Sequence, residues 1–140
     1  MAQTVFESVD ALLSAGPQDL GCTEWATLDQ SAIADFARAT LVPAAQGDEV
    51  APPLLLLSLT NRFLPDLLEV RGASSGVNYG SGSVRFNAPA RAGDRLRARA
   101  FLMDAAEVPG GVQTTVQIRV EIEGSDEPAC IVESLSRWMR

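Results

Sequence analysis

Pro52-Pro53-Leu54-Leu55-Leu56-Leu57-Ser58-Leu59-Thr60-Asn61-Arg62-Phe63-Leu64 is the stretch on which the fold turns. Neither proline has an amide proton and both have φ already set, so the pair can only open a helix. Leucines then occupy nearly every side of its first turns, and a helix apolar all round belongs inside something. Pro65 kinks or ends it, with Leu67-Leu68 available for one more turn. What surrounds it is legible further along. Val112, Thr114, Val116, Ile118, Val120 and Ile122 alternate with Gln113, Thr115, Gln117, Arg119, Glu121 and Glu123, the period of a strand with one covered and one wet face. Arg95-Leu-Arg-Ala-Arg-Ala100 alternates likewise, and Val108-Pro-Gly-Gly111 supplies the turn between the two. Gly124-Ser-Asp126 marks another turn before a strand from Ala129 to Met139, and Val77 to Phe86 is an earlier strand loosened by Gly80 and Gly82. Antiparallel strands around one apolar helix define an α+β layer arrangement.

Upstream, Phe6 to Leu13 reads as a short amphipathic helix stopped by Gly16-Pro17, and Thr23-Glu-Trp-Ala-Thr27 as a brief strand. Asp29 is placed to cap a helix carrying Ile33, Phe36 and Ala37 up to Thr40, and Leu41 to Val50 reads as a loop. The order is helix, short strand, helix, buried helix, four strands: one domain over residues 1–140, with no repeats and no linker.

Composition narrows the chemistry. The 140 residues are 46% hydrophobic and 21% charged, the balance of a globular protein. Eighteen acidic against eleven basic residues give a net charge of −7, which opposes nucleic-acid and anionic-membrane binding. Every cation is arginine, and with neither lysine nor histidine the chain has no imidazole acid or base, no histidine metal ligand and no Schiff-base amine. Cys22 and Cys130 lack any metal or redox spacing and read as small buried residues, so no metal or cofactor is implied. Without a signal-like start or a spanning segment, a cytoplasmic location is expected.

Several stretches carry a family resemblance: Trp25-Ala-Thr-Leu-Asp-Gln30 with Phe36-Ala-Arg-Ala-Thr40, Val77-Asn-Tyr-Gly80 with Val84-Arg-Phe-Asn-Ala-Pro89, Ala92-Gly-Asp-Arg-Leu-Arg-Ala98, Val120-Glu-Ile-Glu-Gly124 and Pro128-Ala-Cys-Ile-Val-Glu133. Together they resemble the MaoC-like dehydratase / (R)-specific enoyl-thioester hydratase family of the hotdog fold across nearly the whole chain. The resemblance implies a long antiparallel sheet wrapped around the central helix, a tunnel for an acyl chain on CoA or an acyl carrier protein, and a dimer, with itself or another hotdog subunit, that continues the sheet. It further implies that Pro53, Leu56, Asn78 and Tyr79 border the ligand.

The same comparison shows what is missing. Family members carry an Asp and a His just after the Phe-Ala-x-Ala-Thr helix, where this chain reads Leu41-Val-Pro-Ala-Ala-Gln-Gly-Asp-Glu-Val-Ala51. Their central helix usually opens Ala-His-Gly, with a backbone amide that polarises the thioester carbonyl; here the stretch is Ala51-Pro52-Pro53. A dyad is worth roughly 10²–10⁴-fold and an oxyanion donor about 10²–10³-fold, so ordinary hydratase activity is not expected. Asp48, Glu49 and Tyr79 remain as replacement acid/base candidates, although Asp48 and Glu49 read first as a solvated helix-start pair. Asn61 and Arg62 read as network or interface residues. Arg95, Arg97 and Arg99 form either a phosphate-holding row or a solvated face. Two functions stay open: an acyl-binding, pocket-shaping subunit without hydratase chemistry, or a repurposed cyclase, isomerase or dehydratase-like lyase acting on fatty-acyl or polyketide chains.

Overall fold

The computed structural model describes residues 3–41 and 49–140. In chain order it runs β1 (Thr4–Phe6), α1 (Val9–Ser14), β2 (Gln18–Cys22), β3 (Ala26–Thr27), α2 (Gln30–Thr40), α3 (Pro53–Leu67), β4 (Leu68–Val70), β5 (Ser75–Phe86), β6 (Arg95–Val108), β7 (Gly111–Ile122) and β8 (Cys130–Met139). The main sheet is ordered β2-β6-β7-β8-β5 with β3 also paired to β6, and its pairings are antiparallel. No helix among the described residues is long and apolar enough to cross a membrane.

The alternation in β7 does what its sequence dictates: Val112, Thr114, Val116, Ile118, Val120 and Ile122 are all buried. Across the ladder they meet Leu96, Ala98, Ala100 and Leu102 of β6, paired with Ile122, Val120, Ile118 and Val116. The two alanines are fully covered, and their small side chains let α3 lie close to the sheet; β6 is the strand it packs against most. Pro109-Gly110 turns β6 into β7, with Gly110 at φ +83, a conformation that costs glycine nothing.

The central helix departs from the expectation of burial on all sides. Leu55, Leu56, Thr60, Phe63 and Leu67 are buried on one face, while Leu54 is 59% exposed. The reason is geometric: the curved sheet covers only one side of the helix. Pro65 neither kinks the helix to an end nor leaves a loose turn, since α3 continues to Leu67 and Gln3 Nε2 donates to the Pro65 carbonyl at 2.6 Å. Leu68 is extended rather than helical and starts β4, which pairs in parallel with β1.

The N-terminal reading also needs correcting. Thr4–Phe6 is a strand, because pairing with Leu68–Val70 claims its backbone. The helix that follows starts only at Val9, where Ser8 Oγ accepts from the Ala11 N–H at 3.0 Å. The Thr23–Thr27 strand shrinks to Ala26–Thr27, and the longer Gln18–Cys22 strand was hidden by its polar side chains and by Gly21. Asp29 stands at the N-cap of α2 without a capping side-chain bond.

Two tests follow from the packing. Gly76 lies opposite Trp138, and a Cβ there would stand 2.8 Å from the indole ring. Gly76→Ala must therefore displace the ring and strain its Nε1 donation to Thr114 Oγ1, 3.1 Å away; a loss of about 1–3 kcal/mol, read by denaturant unfolding followed through tryptophan fluorescence, is expected. At the C-terminus, Arg140 bonds Glu107 at 2.8 Å and Asp10 at 2.7 Å, which holds the Glu107 carboxyl below its ordinary value of 4.5. A carboxylate depressed in the folded state stabilises above its unfolded pKa and loses that contribution as pH falls through the folded one. Arg140→Met should flatten the acid limb of the stability profile below pH 4.5 while leaving its shape near neutrality unchanged.

Candidate functional site

Between α3 and the inner faces of β5 and β8 runs a cleft with two cavities. The larger, about 480 Å³, lies toward the C-terminal half of α3 and is walled by Leu64, Leu68, Val77, Ser136 and Trp138 among others. The smaller, about 310 Å³, lies further toward the N-terminus of the helix and is walled by Leu57, Ser58, Thr60, Tyr79, Ser81 and Ser134 among others. Asn61 and Asn78 line both cavities, and Asn78 Nδ2 donates to Asn61 Oδ1 at 2.6 Å across the cleft.

Irregularities in β5 set this lining. Asn78 pairs with Ser136 and Gly80 with Leu135, so Tyr79 is an extra residue in the ladder; two more, Gly82 and Ser83, face Glu133 alone. Each bulge shifts the alternation by one residue. Asn78, Ser81 and Val84, three residues apart, therefore lie opposite the inward positions Ser136, Ser134 and Val132. Tyr79 lines the smaller cavity while its ring stacks under the Arg137 guanidinium, 3.6 Å from the centroid. Arg137 is held in turn by Gln113 at 2.9 Å. A polar row, Thr114–Ser136–Asn78, thus crosses β7, β8 and β5 and is extended by Asn61 from the helix.

The residues singled out in the sequence do not all meet here. Asn78 and Tyr79 do. Leu56 is 2% exposed and belongs to the core, and Pro53 is exposed at the first turn of α3; neither lines the two cavities. Glu49 is exposed, its carbonyl accepting from the Ala92 N–H at 2.9 Å, and likewise lines neither. Asp48 and most of the Leu41–Val50 segment lie outside the described residues. Asn61, read as a network or interface residue, is hydrogen-bonded to Asn78, and its i, i+4 and i+7 spacing with Leu57 and Leu64 is the signal that places it on the cleft. Glu69 is the carboxylate that lines the larger cavity, and it pairs with Arg71 at 3.4 Å. Cys130 is fully buried, and burial pushes its thiol up, away from a reactive thiolate.

The arginine row on β6 is neutralised side chain by side chain. Arg95 pairs with Glu123 at 3.1 Å, Arg97 with Glu121 at 2.8 Å and Arg99 with Asp19 at 2.9 Å. Arg97 also lies over Trp25, 4.4 Å from the ring centroid, and its hydrogen bond to Glu121 raises its pKa further. Three cations so engaged leave little field for a phosphate.

A long antiparallel sheet curved around one face of a central helix is the hotdog architecture, and comparison with known proteins agrees. A chain described as the monoamine oxidase regulatory protein from Archaeoglobus superposes with a TM-score of 0.76 at 15% identity, covering 100% of this chain and 99% of that one. A MaoC-like dehydratase from Rhodospirillum rubrum gives 0.65 at 14% identity over 89% and 92%, and a chain of the ChsH1-ChsH2 complex from Mycobacterium tuberculosis 0.59 at 20% over 86% and 97%; these likenesses show the fold. No family model matches the chain. The 3-hydroxyacyl-thioester dehydratase Z of Mycobacterium tuberculosis is 34% identical over 147 residues, covering 96% of this chain and 97% of its own. The chain belongs to this family of MaoC-like 3-hydroxyacyl-thioester dehydratases.

The neutralised row gives a direct expectation. Arg95→Gln, Arg97→Gln and Arg99→Gln, made singly, should each cost no more than about 1 kcal/mol of stability. Each should also leave the affinity for a CoA thioester, followed by calorimetry, unaltered. A tenfold loss of affinity in any of them would reassign the row as a phosphate site.

Proposed function

We propose that this chain binds an acyl thioester, carried on CoA or an acyl carrier protein, in the cleft between α3 and β5, and that it does so without the ordinary hydration or dehydration chemistry. The observation that carries this reading is the start of α3. Pro52 and Pro53 offer no N–H, and the Leu55 N–H is turned back onto the Pro52 carbonyl at 2.9 Å. An oxyanion needs preorganised donors aimed at the place where charge develops, and at the first turn of this helix Pro52, Pro53 and Leu55 supply none. Without a histidine anywhere in the 140 residues, an imidazole that would move the proton is absent as well. What remains is a binding surface of amides, hydroxyls and apolar walls, with the Glu69 carboxylate engaged by Arg71.

The exposed edge of β5 supports an assembly with a second hotdog subunit. Among the described residues β5, 12 residues long, pairs with β8 alone and leaves its outer edge uncovered. Pairing with a second hotdog subunit would continue the sheet, cover the edge and close the cleft over exposed Val77. A partner with a full dyad would make this chain the pocket-shaping half of a pair; a second copy would make a binding homodimer. The repurposed-enzyme reading rests on one feature, the Tyr79 phenol at the smaller cavity, as a proton donor in an isomerase- or lyase-type reaction.

Calorimetry with crotonyl-CoA and 3-hydroxybutyryl-CoA, with turnover followed in the same samples, tests the proposal. Binding without hydration or dehydration is the expected result. Turnover by the isolated chain overturns the non-catalytic reading, and turnover lost in Tyr79→Phe would move it to the repurposed enzyme. No binding of either thioester, on CoA or on a carrier protein, removes the acyl-thioester reading altogether.

A further inference from the structure

The face of the main sheet turned away from α3 carries a third cavity, about 240 Å³, where β6 and β7 lie beside β2. Asp19, Arg99, Ala100, Phe101, Gln117 and Arg119 wall it. The register sets Arg99 directly opposite Arg119, and Phe101 directly opposite Gln117. Like charges facing one another across a ladder repel, and one of the two is answered: Arg99 pairs with Asp19 at 2.9 Å. Half-buried Arg119 has no carboxylate partner among the described residues, and the half-buried Gln117 amide has no side-chain hydrogen bond among them. We propose that this cavity binds a carboxylate monoanion joined to an apolar body, the carboxylate held by Arg119 and Gln117 and the body seated against Phe101. The site stands on the opposite face of the sheet from the cleft and does not depend on the acyl-thioester reading.

Charge and chemistry select the ligand. A guanidinium presents a planar fork of N–H donors that matches the two oxygens of a carboxylate, and such charge-assisted bonds are the strong ones. The Gln117 amide, on the same face two residues away, adds N–H donors of its own. Two arginines against one aspartate leave the wall with one positive charge, which a single carboxylate neutralises. A phosphate dianion would leave surplus negative charge beside Asp19, in a chain whose net charge is already −7. Phe101 is 41% exposed, so an apolar body that covers it gains what a bare acetate cannot. The next charged residues on this face stand outside the cavity: Glu133 opposite Gln117 on β8, and Arg85 beyond Ile131 on β5. They oppose one another in sign and leave the local balance as it is. A free acid and the C-terminus of another chain share this chemistry.

Titration of the isotope-labelled chain with phenylacetate, followed by NMR, tests this. Saturable shifts centred on Gln117 and Arg119 are expected. Phenylacetamide, the neutral isostere, should bind about tenfold more weakly, and phenylphosphate should also bind more weakly than phenylacetate. Arg119→Gln should lose about tenfold in phenylacetate affinity. Asp19→Asn keeps the oxygen that accepts from the Gly21 N–H at 2.8 Å and should let phenylphosphate overtake phenylacetate. N-acetylphenylalanine imitates a chain terminus: tighter binding than phenylacetate assigns the carboxylate to a partner's C-terminus, weaker binding to a free acid, and either supports the site. Equal affinity for phenylacetate and phenylacetamide overturns the proposal without any variant. So does a lack of saturation, or binding undiminished in Arg119→Gln, or shifts centred instead on Asn61 and Asn78 of the cleft. Crotonyl-CoA affinity should be unchanged in Arg119→Gln, so this site and the acyl-thioester reading fail separately.

Discussion

The contact on which the molecule depends is between one face of α3 and the concave sheet. Leu55, Leu56, Phe63 and Leu67 are each 7% exposed or less, and burying such a side chain contributes roughly 1.5–3 kcal/mol. The close approach is permitted from the other side by Ala98 and Ala100 of β6. Because the sheet curves around one side of the helix only, the same contact creates the cleft. The residues at Leu57, Asn61 and Leu64 are left at the boundary between core and solvent, where they wall the two cavities. Fold and site are therefore consequences of one packing arrangement.

The second constraint is the interrupted ladder of β5. A regular strand would have placed Asn78 and Gly80 on one face and Ser81 on the other. Inserting Tyr79 puts Asn78 and Ser81 opposite the inward-facing Ser136 and Ser134, and the bulge at Gly82-Ser83 does the same for Val84 opposite Val132. A Cβ at Gly82 would stand 2.9 Å from the Glu133 carboxylate and would require that side chain to move. Bulges re-aim side chains at the price of local pairing, and here they concentrate amides and hydroxyls on the cleft instead of scattering them over both faces.

These particulars explain what could be read in advance. The β7 alternation and the β6–β7 turn were legible because burial on one face of a central strand leaves a period of two in the sequence. The α+β class followed from the same alternation, and the family from the resemblance carried by stretches such as Val77-Asn-Tyr-Gly80 and Pro128-Ala-Cys-Ile-Val-Glu133. The burial of α3 on all sides was over-read, because composition reports how apolar a helix is and not how much of it one chain covers. Thr4–Phe6 was hidden because its strand state is imposed by a distant partner, Leu68–Val70. In β5 the bulges erase the alternation, so Gly80 and Gly82 hinted at irregularity without saying which residues turned inward. Asn61 was legible only by helical spacing against Leu57 and Leu64, a weaker signal than the leucines around it.

Two features of the central helix now bear on each other. Its first turn has lost backbone donors to Pro52 and Pro53, where a positive helix end would otherwise favour developing negative charge. Two turns further along it presents Asn61, paired across the cleft with Asn78. Backbone amides at a helix start act on whatever charge forms there. Side-chain amides paired with one another stay neutral at every pH and discriminate by hydrogen-bond complementarity instead. The side-chain amides of this cleft therefore sit about two turns along α3 from its proline-capped start.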